Sequence, residues 1–186
     1  MSFNLEALVA ACKGALADDK PQEKITDIIR RAVGDPESVK AALGQEETAG
    51  IKRLYVSAEL TLINVVWAPK MTLPAHNHNV WAVIGVYAGR EDNIFWRKQG
   101  DDLEGRVEAA GAKSIAAGEV VSLGKKLIHS VTNPTASYTR AIHVYGGNFF
   151  EIDRSEWDPL SLTEGPHSIE RTLALFKSEN SIIRQI

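Results

Sequence analysis

The residues best suited to chemistry in this sequence are His76 and His78, which flank Asn77. A neutral imidazole is the commonest protein donor to a divalent ion. If the chain from Met71 to Tyr87 is extended, residues two apart project to one face, and both rings can converge on a point inside a barrel. An H-x-H pair is weak by itself in a chain with five histidines. His129 strengthens it, because it opens an H-x-x-x-N run that ends at Asn133, just after the glycine-punctuated stretch Gly118 to Gly124. A third imidazole from a separate strand completes one facet of an octahedron and leaves positions open, as in non-haem iron(II) sites.

Two further side chains have more than one reading. On strand periodicity His143 shares a face with Ala141 and Tyr145, so it either reaches the same pocket or is a satisfied core histidine. Tyr145 is either a packed aromatic or a phenol that donates to a bound substrate. His167 follows Pro166 in an expected loop and reads as structural or surface-placed. Cys12 lies on the apolar stripe of an expected helix and reads as a small buried thiol.

These residues need a rigid frame, and the pattern changes near Gly50. Before it, Leu5, Leu8, Val9, Cys12 and Leu16 recur at helical spacing, as do Ile25, Ile28, Ile29, Ala32 and Val33 after Pro21. Asp35-Pro36 begins a third short helix that runs to Gly44. After it come short β-rich runs: Leu60 to Trp67, Asn79 to Tyr87, Asn93 to Arg97, Glu119 to Leu123, Ile128 to Thr132 and Thr139 to Tyr145. Regular spacing with glycines between the runs predicts an antiparallel sandwich or barrel. The organisation expected is a helical segment over residues 1–50 packed on a β-barrel domain over 51–186 that carries a C-terminal extension. In that extension Ser155 to Pro159 reads as a turn and Ile169 to Phe176 as a last helix.

Composition removes several function classes. The 186 residues are 44% hydrophobic and 24% charged, which is ordinary for one globular domain. A formal charge of -3, with the basic residues in isolated pairs such as Lys52-Arg53 and Lys125-Lys126, argues against a nucleic-acid surface. No apolar stretch reaches spanning length and the start lacks a secretory pattern, so no membrane association is expected. One cysteine allows no internal disulfide, which fits a cytoplasmic setting, and a homo-oligomer is compatible with the composition.

His76-Asn77-His78, Gly89, Gly118, Gly124, His129 and Asn133 resemble the two-part signature of the cupin superfamily. The fold this implies is mainly β, a double-stranded β-helix or jelly-roll barrel with the metal in its mouth, here with an N-terminal helical segment. Many cupins have a glutamate ligand shortly after the H-x-H pair, and Ala82 stands in that place. Three neutral imidazoles would leave a divalent ion its full charge and favour an anionic ligand. Within the superfamily the chain is most similar to the thiol dioxygenases, the cysteine and 3-mercaptopropionate enzymes. The likeness rests on Arg53-Leu54-Tyr55, the run from Trp67 through Pro74 to His78, Val83 to Gly89, and Ile142 to Gly147.

That resemblance implies one Fe(II) per chain on His76, His78 and His129, with O2 and a small thiol as reactants and a sulfinate as product. It places His143 and Tyr145 on a catalytic Ser-x-His-x-Tyr motif, with Ala141 where the serine usually stands, and gives Arg53 and Tyr145 to the substrate. Read by itself, Lys52-Arg53 is equally a solvated strand end. Trp67, Trp81 and Tyr87 read either as apolar walls of the pocket or as packed core. Another metal-dependent cupin enzyme, a dioxygenase of enolic substrates or a lyase, would keep the same three histidines, and a non-catalytic ligand-binding cupin would keep the barrel.

Overall fold

The protein is described by a computed structural model over residues 2–183. Three helices come first, α1 (Leu5–Ala15), α2 (Pro21–Val33) and α3 (Pro36–Leu43). Their starts follow from local chemistry. The Asn4 side chain accepts from the Ala7 N–H at 2.8 Å, the Asp35 side chain accepts from Ser38 N–H at 3.2 Å, and α2 and α3 each begin on proline, whose missing N–H costs nothing in a first turn.

The strands are β1 (Gly50–Val56), β2 (Thr61–Trp67), β3 (Thr72–Asn77), β4 (Ala82–Ala88), β5 (Arg90–Lys98), β6 (Val107–Ala116), β7 (Val120–Leu123), β8 (Ile128–Thr132), β9 (Thr139–Tyr145), β10 (Ser155–Trp157) and β11 (Glu164–Pro166), followed by α4 (Ile169–Ile183). They form a five-stranded sheet, β1-β2-β9-β4-β7, facing a six-stranded sheet, β11-β10-β3-β8-β5-β6. Pairing is antiparallel throughout. From β2 to β5 the chain changes sheet at every step, which is the double-stranded β-helix architecture expected. None of the described helices is long and apolar enough to cross a membrane.

Strand periodicity separates two cores on either side of the first sheet. Ile63, Val65 and Trp67 of β2, Ala82, Ile84 and Val86 of β4, and Ala141 and Tyr145 of β9 face the barrel interior. The alternate residues, Leu62, Val83, Tyr87, Ile142 and Val144, pack against Leu8, Cys12, Ile25, Ile29, Val33 and Val39 of the helical cap. Both faces are buried, so these strands read in sequence as continuous apolar runs. Cys12 is buried in the second core, where burial pushes its thiol up to about 12, an unreactive state. Tyr87 also belongs there, its hydroxyl donating to Asn64 Oδ1 at 2.7 Å, so it is no wall of the metal pocket.

Several elements differ from the sequence expectation. The run Met71 to Tyr87 is not one extended strand: β3 stops at Asn77, Asn79 adopts a left-handed φ of 54°, and the chain enters the other sheet at Ala82. β6 was unforeseen because its middle, Ala109 to Ser114, is small, polar and exposed, as an edge strand paired only with β5 can be. The turn expected at Ser155 begins as β10, and the last helix continues to Ile183. This extension closes the barrel: Phe176 of α4 meets the Trp67 ring at 5.4 Å, and the Asn180 amide donates to Ala49 O at 2.9 Å and accepts from its N–H at 2.7 Å.

The cap docks through Gly85 of β4, where an added Cβ would lie 2.4 Å from Ile29 Cγ2 and 2.9 Å from Val33 Cγ1. Gly85→Ala is therefore expected to cost roughly 1–3 kcal/mol by overpacking. Urea unfolding would show it as a lower midpoint at unchanged slope.

Candidate metal centre

A β-bulge aims the first ligand. Leu73 pairs with Val131 but His76 pairs with His129, so β3 holds one residue more than β8 across this interval. Residues three apart point to opposite faces of a regular strand; the extra residue, beside Pro74, lets both Leu73 and His76 face inward. His78 follows on the same face just past the strand end, and His129 enters from β8 directly opposite His76. Nε2 of His78 lies 3.2 Å from Nε2 of His76 and 3.2 Å from Nε2 of His129.

Second partners set the ring protons. Nδ1–H of His76 donates to the Pro74 carbonyl at 2.9 Å, and Nδ1–H of His129 donates to Asn93 Oδ1 at 2.8 Å. Both rings, when neutral, then present Nε2 as a lone pair. His78 can donate to at most one of them, so at least one Nε2 lone pair is left without a donor in a buried place. A cation between the nitrogens meets that need, and a 3.2 Å spacing suits two nitrogens that share one ion at bond lengths of about 2.1 Å. The set therefore fits a divalent metal. Burial holds the His76 imidazole down to about 4 and, with neighbouring histidines, holds His78 and His129 well below the usual range, which keeps all three as unprotonated ligands.

Around them lies a chamber of about 40 Å³, room for only a few water-sized groups. Trp67, His143, Tyr145, Phe149, Arg154, Ile169 and Phe176 are among its walls. His143 and Tyr145 both line it, with Nδ1 of His143 3.0 Å from the Tyr145 hydroxyl. Burial raises the phenol above its ordinary range, so it keeps its proton. Of the candidate walls Trp67 lines the chamber, whereas Trp81 packs over Gly146 and is not among the lining residues.

Arg53 is not in the chamber. It is an exposed residue of β1, its guanidinium 3.9 Å from the Phe150 ring centre. Arg154 occupies the wall instead, 3.9 Å over Phe149, which in turn stacks on Tyr145 at 3.8 Å and 12°. Its Nε has no hydrogen-bond partner among the described residues, and burial lowers the affinity of the guanidinium for its proton. His167, expected as a surface or structural residue, also lines the chamber, and its Nε2 lies 3.2 Å from the Thr172 hydroxyl. These two residues, with Leu73 and His76, are shared with an outer cavity of about 540 Å³. Asn133, by contrast, staples a loop by donating to the carbonyls of Ala68 and Ser137, each at 2.8 Å.

Sequence reasoning missed Arg154, Phe149 and Glu91. Arg154 and Phe149 sit in irregular chain after β9 and carry no periodic signal. Glu91 did leave one: on β5 the polar Glu91 and Asn93 are buried while Ile94 is 40% exposed, an inverted pattern that marks a functional interior.

No protein-family model matches the chain. Among solved structures, the chain is similar to a cupin family protein with a double-stranded β-helix fold from Methanocaldococcus jannaschii, at 11% identity over 57% of this chain and 87% of that one, TM-score 0.46. It is also similar to oxalate oxidase in complex with glycolate, at 14% identity over 56% of this chain and 53% of that one, TM-score 0.41. A third is oxalate decarboxylase from Bacillus subtilis, at 15% identity over 56% of this chain and 27% of that one, TM-score 0.43. Likeness of this size says nothing of the chemistry, and the site stands on its own side chains.

Three measurements check the centre. Replacing His76, His78 or His129 by Ala should remove stoichiometric metal with the circular dichroism spectrum retained, because the sheets supply the core. Asn93→Ala, which takes the acceptor from His129 Nδ1–H, should weaken metal binding roughly 10- to 100-fold in a chelator competition. The third is a pH effect. His76 folds with a value near 4 against an ordinary 6.5, so the unfolded chain binds more protons between them. The stability of the metal-free protein should be full above about pH 6.5 and fall as pH drops toward 4, and His76→Gln should flatten that slope.

Proposed function

We propose that this chain is an iron(II)-dependent dioxygenase that oxidises a small thiol carboxylate, of the 3-mercaptopropionate or cysteine type, to its sulfinate with O2. The observation that carries the reading is the Arg154 guanidinium on the wall of the same chamber as three imidazoles that have no carboxylate among them. Neutral donors leave a divalent ion its whole charge, which favours a thiolate over an uncharged ligand. Iron(II) held by His76, His78 and His129 would supply the Lewis acid and redox centre for the reaction of thiolate with O2.

The chain's own residues do the rest. Arg154 presents a planar fork suited to a carboxylate, and its stack on Phe149 fixes the plane of that fork. With Arg53 outside the chamber, the carboxylate role assigned to it by resemblance passes to Arg154. Tyr145 offers its hydroxyl beside His78, the rings 5.0 Å apart and edge to face. Trp67, Ile169 and Phe176 close the chamber with apolar surface and keep bulk water from the reacting groups. The small volume suits a substrate of a few heavy atoms. A reducing, cytoplasmic setting, which keeps iron(II) and thiols in the state required, goes with this reading.

Iron-loaded protein in an oxygen electrode should take up O2 with 3-mercaptopropionate or cysteine and release the sulfinate. Absence of uptake across carboxylated and uncarboxylated thiols ends the proposal, and uptake with a diketone would select an enolate substrate instead. Arg154→Ala should raise KM for 3-mercaptopropionate roughly ten- to a hundredfold, the equivalent of one or two charge-assisted hydrogen bonds, and leave cysteamine little affected.

A further inference from the structure

Glu91 is fully buried behind the metal chamber, at 0% exposure. A carboxylate taken out of water is costly unless its neighbours offer protons. One does so here, and a second stands close. The Trp67 indole N–H donates to Oε1 at 2.7 Å, and Nε2 of His143 lies 3.5 Å from the same oxygen. Neither Oε2 of Glu91 nor Nε2 of His143 has a hydrogen-bond partner among the described residues. On its other edge the His143 ring meets the Tyr145 hydroxyl. Ala141, two residues earlier on the same face of β9, has no polar side-chain atom to offer.

The two ring nitrogens of His143 thus face different groups, and this decides where the proton sits. A lone pair on Nε2 would point at carboxylate lone pairs in a buried place, where the repulsion is strong. A proton on Nε2 makes the contact attractive and leaves Nδ1 to accept from the Tyr145 O–H. We propose that Glu91 is a positioning residue that holds His143 as the Nε2–H tautomer, so that Tyr145 donates to His143 and turns an oxygen lone pair toward the chamber.

Its use in turnover rests on the thiol-oxidising reading. The S–H proton of an entering thiol passes to the Tyr145 oxygen while the phenolic proton passes to Nδ1 of His143. One S–H and one O–H bond break, one O–H and one N–H bond form, and no electrons are exchanged. The imidazolium that results lies against the Glu91 carboxylate, which stabilises it, and the thiolate is left facing the three imidazoles.

Long-range proton–nitrogen NMR reads the tautomer directly, on metal-free protein and on protein loaded with zinc(II), near neutral pH, with His143 assigned by the signals lost in His143→Gln. Wild type and Tyr145→Phe should both show Nε2–H. Glu91→Leu removes the oxygen that faces Nε2 at similar bulk, so His143 should switch to Nδ1–H and donate to the Tyr145 oxygen. Wild-type His143 found as Nδ1–H or as imidazolium, or a tautomer unmoved by Glu91→Leu, overturns the proposal; if that variant does not fold, the other two spectra decide. In oxygen uptake with 3-mercaptopropionate, Glu91→Leu should lower kcat roughly a hundredfold near neutral pH, and the deficit should shrink as rising pH ionises the thiol in solution. A deficit constant with pH would leave the proton path without support and overturn that part. Complete lack of thiol oxidation by wild type would remove the proposed function while the tautomer remains decided by the spectra.

Discussion

The rest of this structure depends on the enforced approach of three imidazole nitrogens, two of which have already given their only proton to Pro74 and Asn93. Three ring nitrogens gathered at 3.2 Å contacts in a buried place, with at most one proton to share, are costly to hold together. The arrangement persists because its rings come from a paired register, His76 opposite His129, within sheets that are packed on both sides. The helical cap contributes indirectly. Gly85 lets α2 lie directly on β4, which pairs with β9, the strand that carries His143 and Tyr145 on its other face.

Charge around the chamber is distributed with similar economy. Arg154 supplies a cation from the side of the C-terminal extension, and Glu91 supplies an anion from behind His143. Neither is a metal ligand, so neither reduces the charge of a bound ion by coordination. Burial makes both stronger than they would be in water. Closure by α4 contributes to that burial: Phe176 covers Trp67, and the Asn180 pairing with Ala49 fastens the helix to the start of β1. Where the inner chamber meets the outer cavity, His167 and Thr172 are joined by one hydrogen bond at 3.2 Å.

Much of this was legible in the residues themselves. Helical spacing with the capping Asp35 marked the N-terminal segment, alternation and glycine spacing marked the β class, and His76, His78, His129, His143 and Tyr145 stood out as candidates that the fold gathers round one chamber. Each of those signals is local: a cap bonds within its own turn, and residues two apart on a strand share a face whatever lies beyond. What tertiary structure alone decided was which side chains join that heart from elsewhere. Arg154 rather than Arg53 reaches the chamber because an irregular segment folds back over Phe149. His167 arrives from the far side of two short strands, and Glu91 finds His143 because β5 of one sheet lies across from β9 of the other. Even the inward aim of His76 depends on one extra residue in β3, visible only against the strand it pairs with. Contacts between residues distant in sequence are set by packing, and packing has no period for a sequence to display.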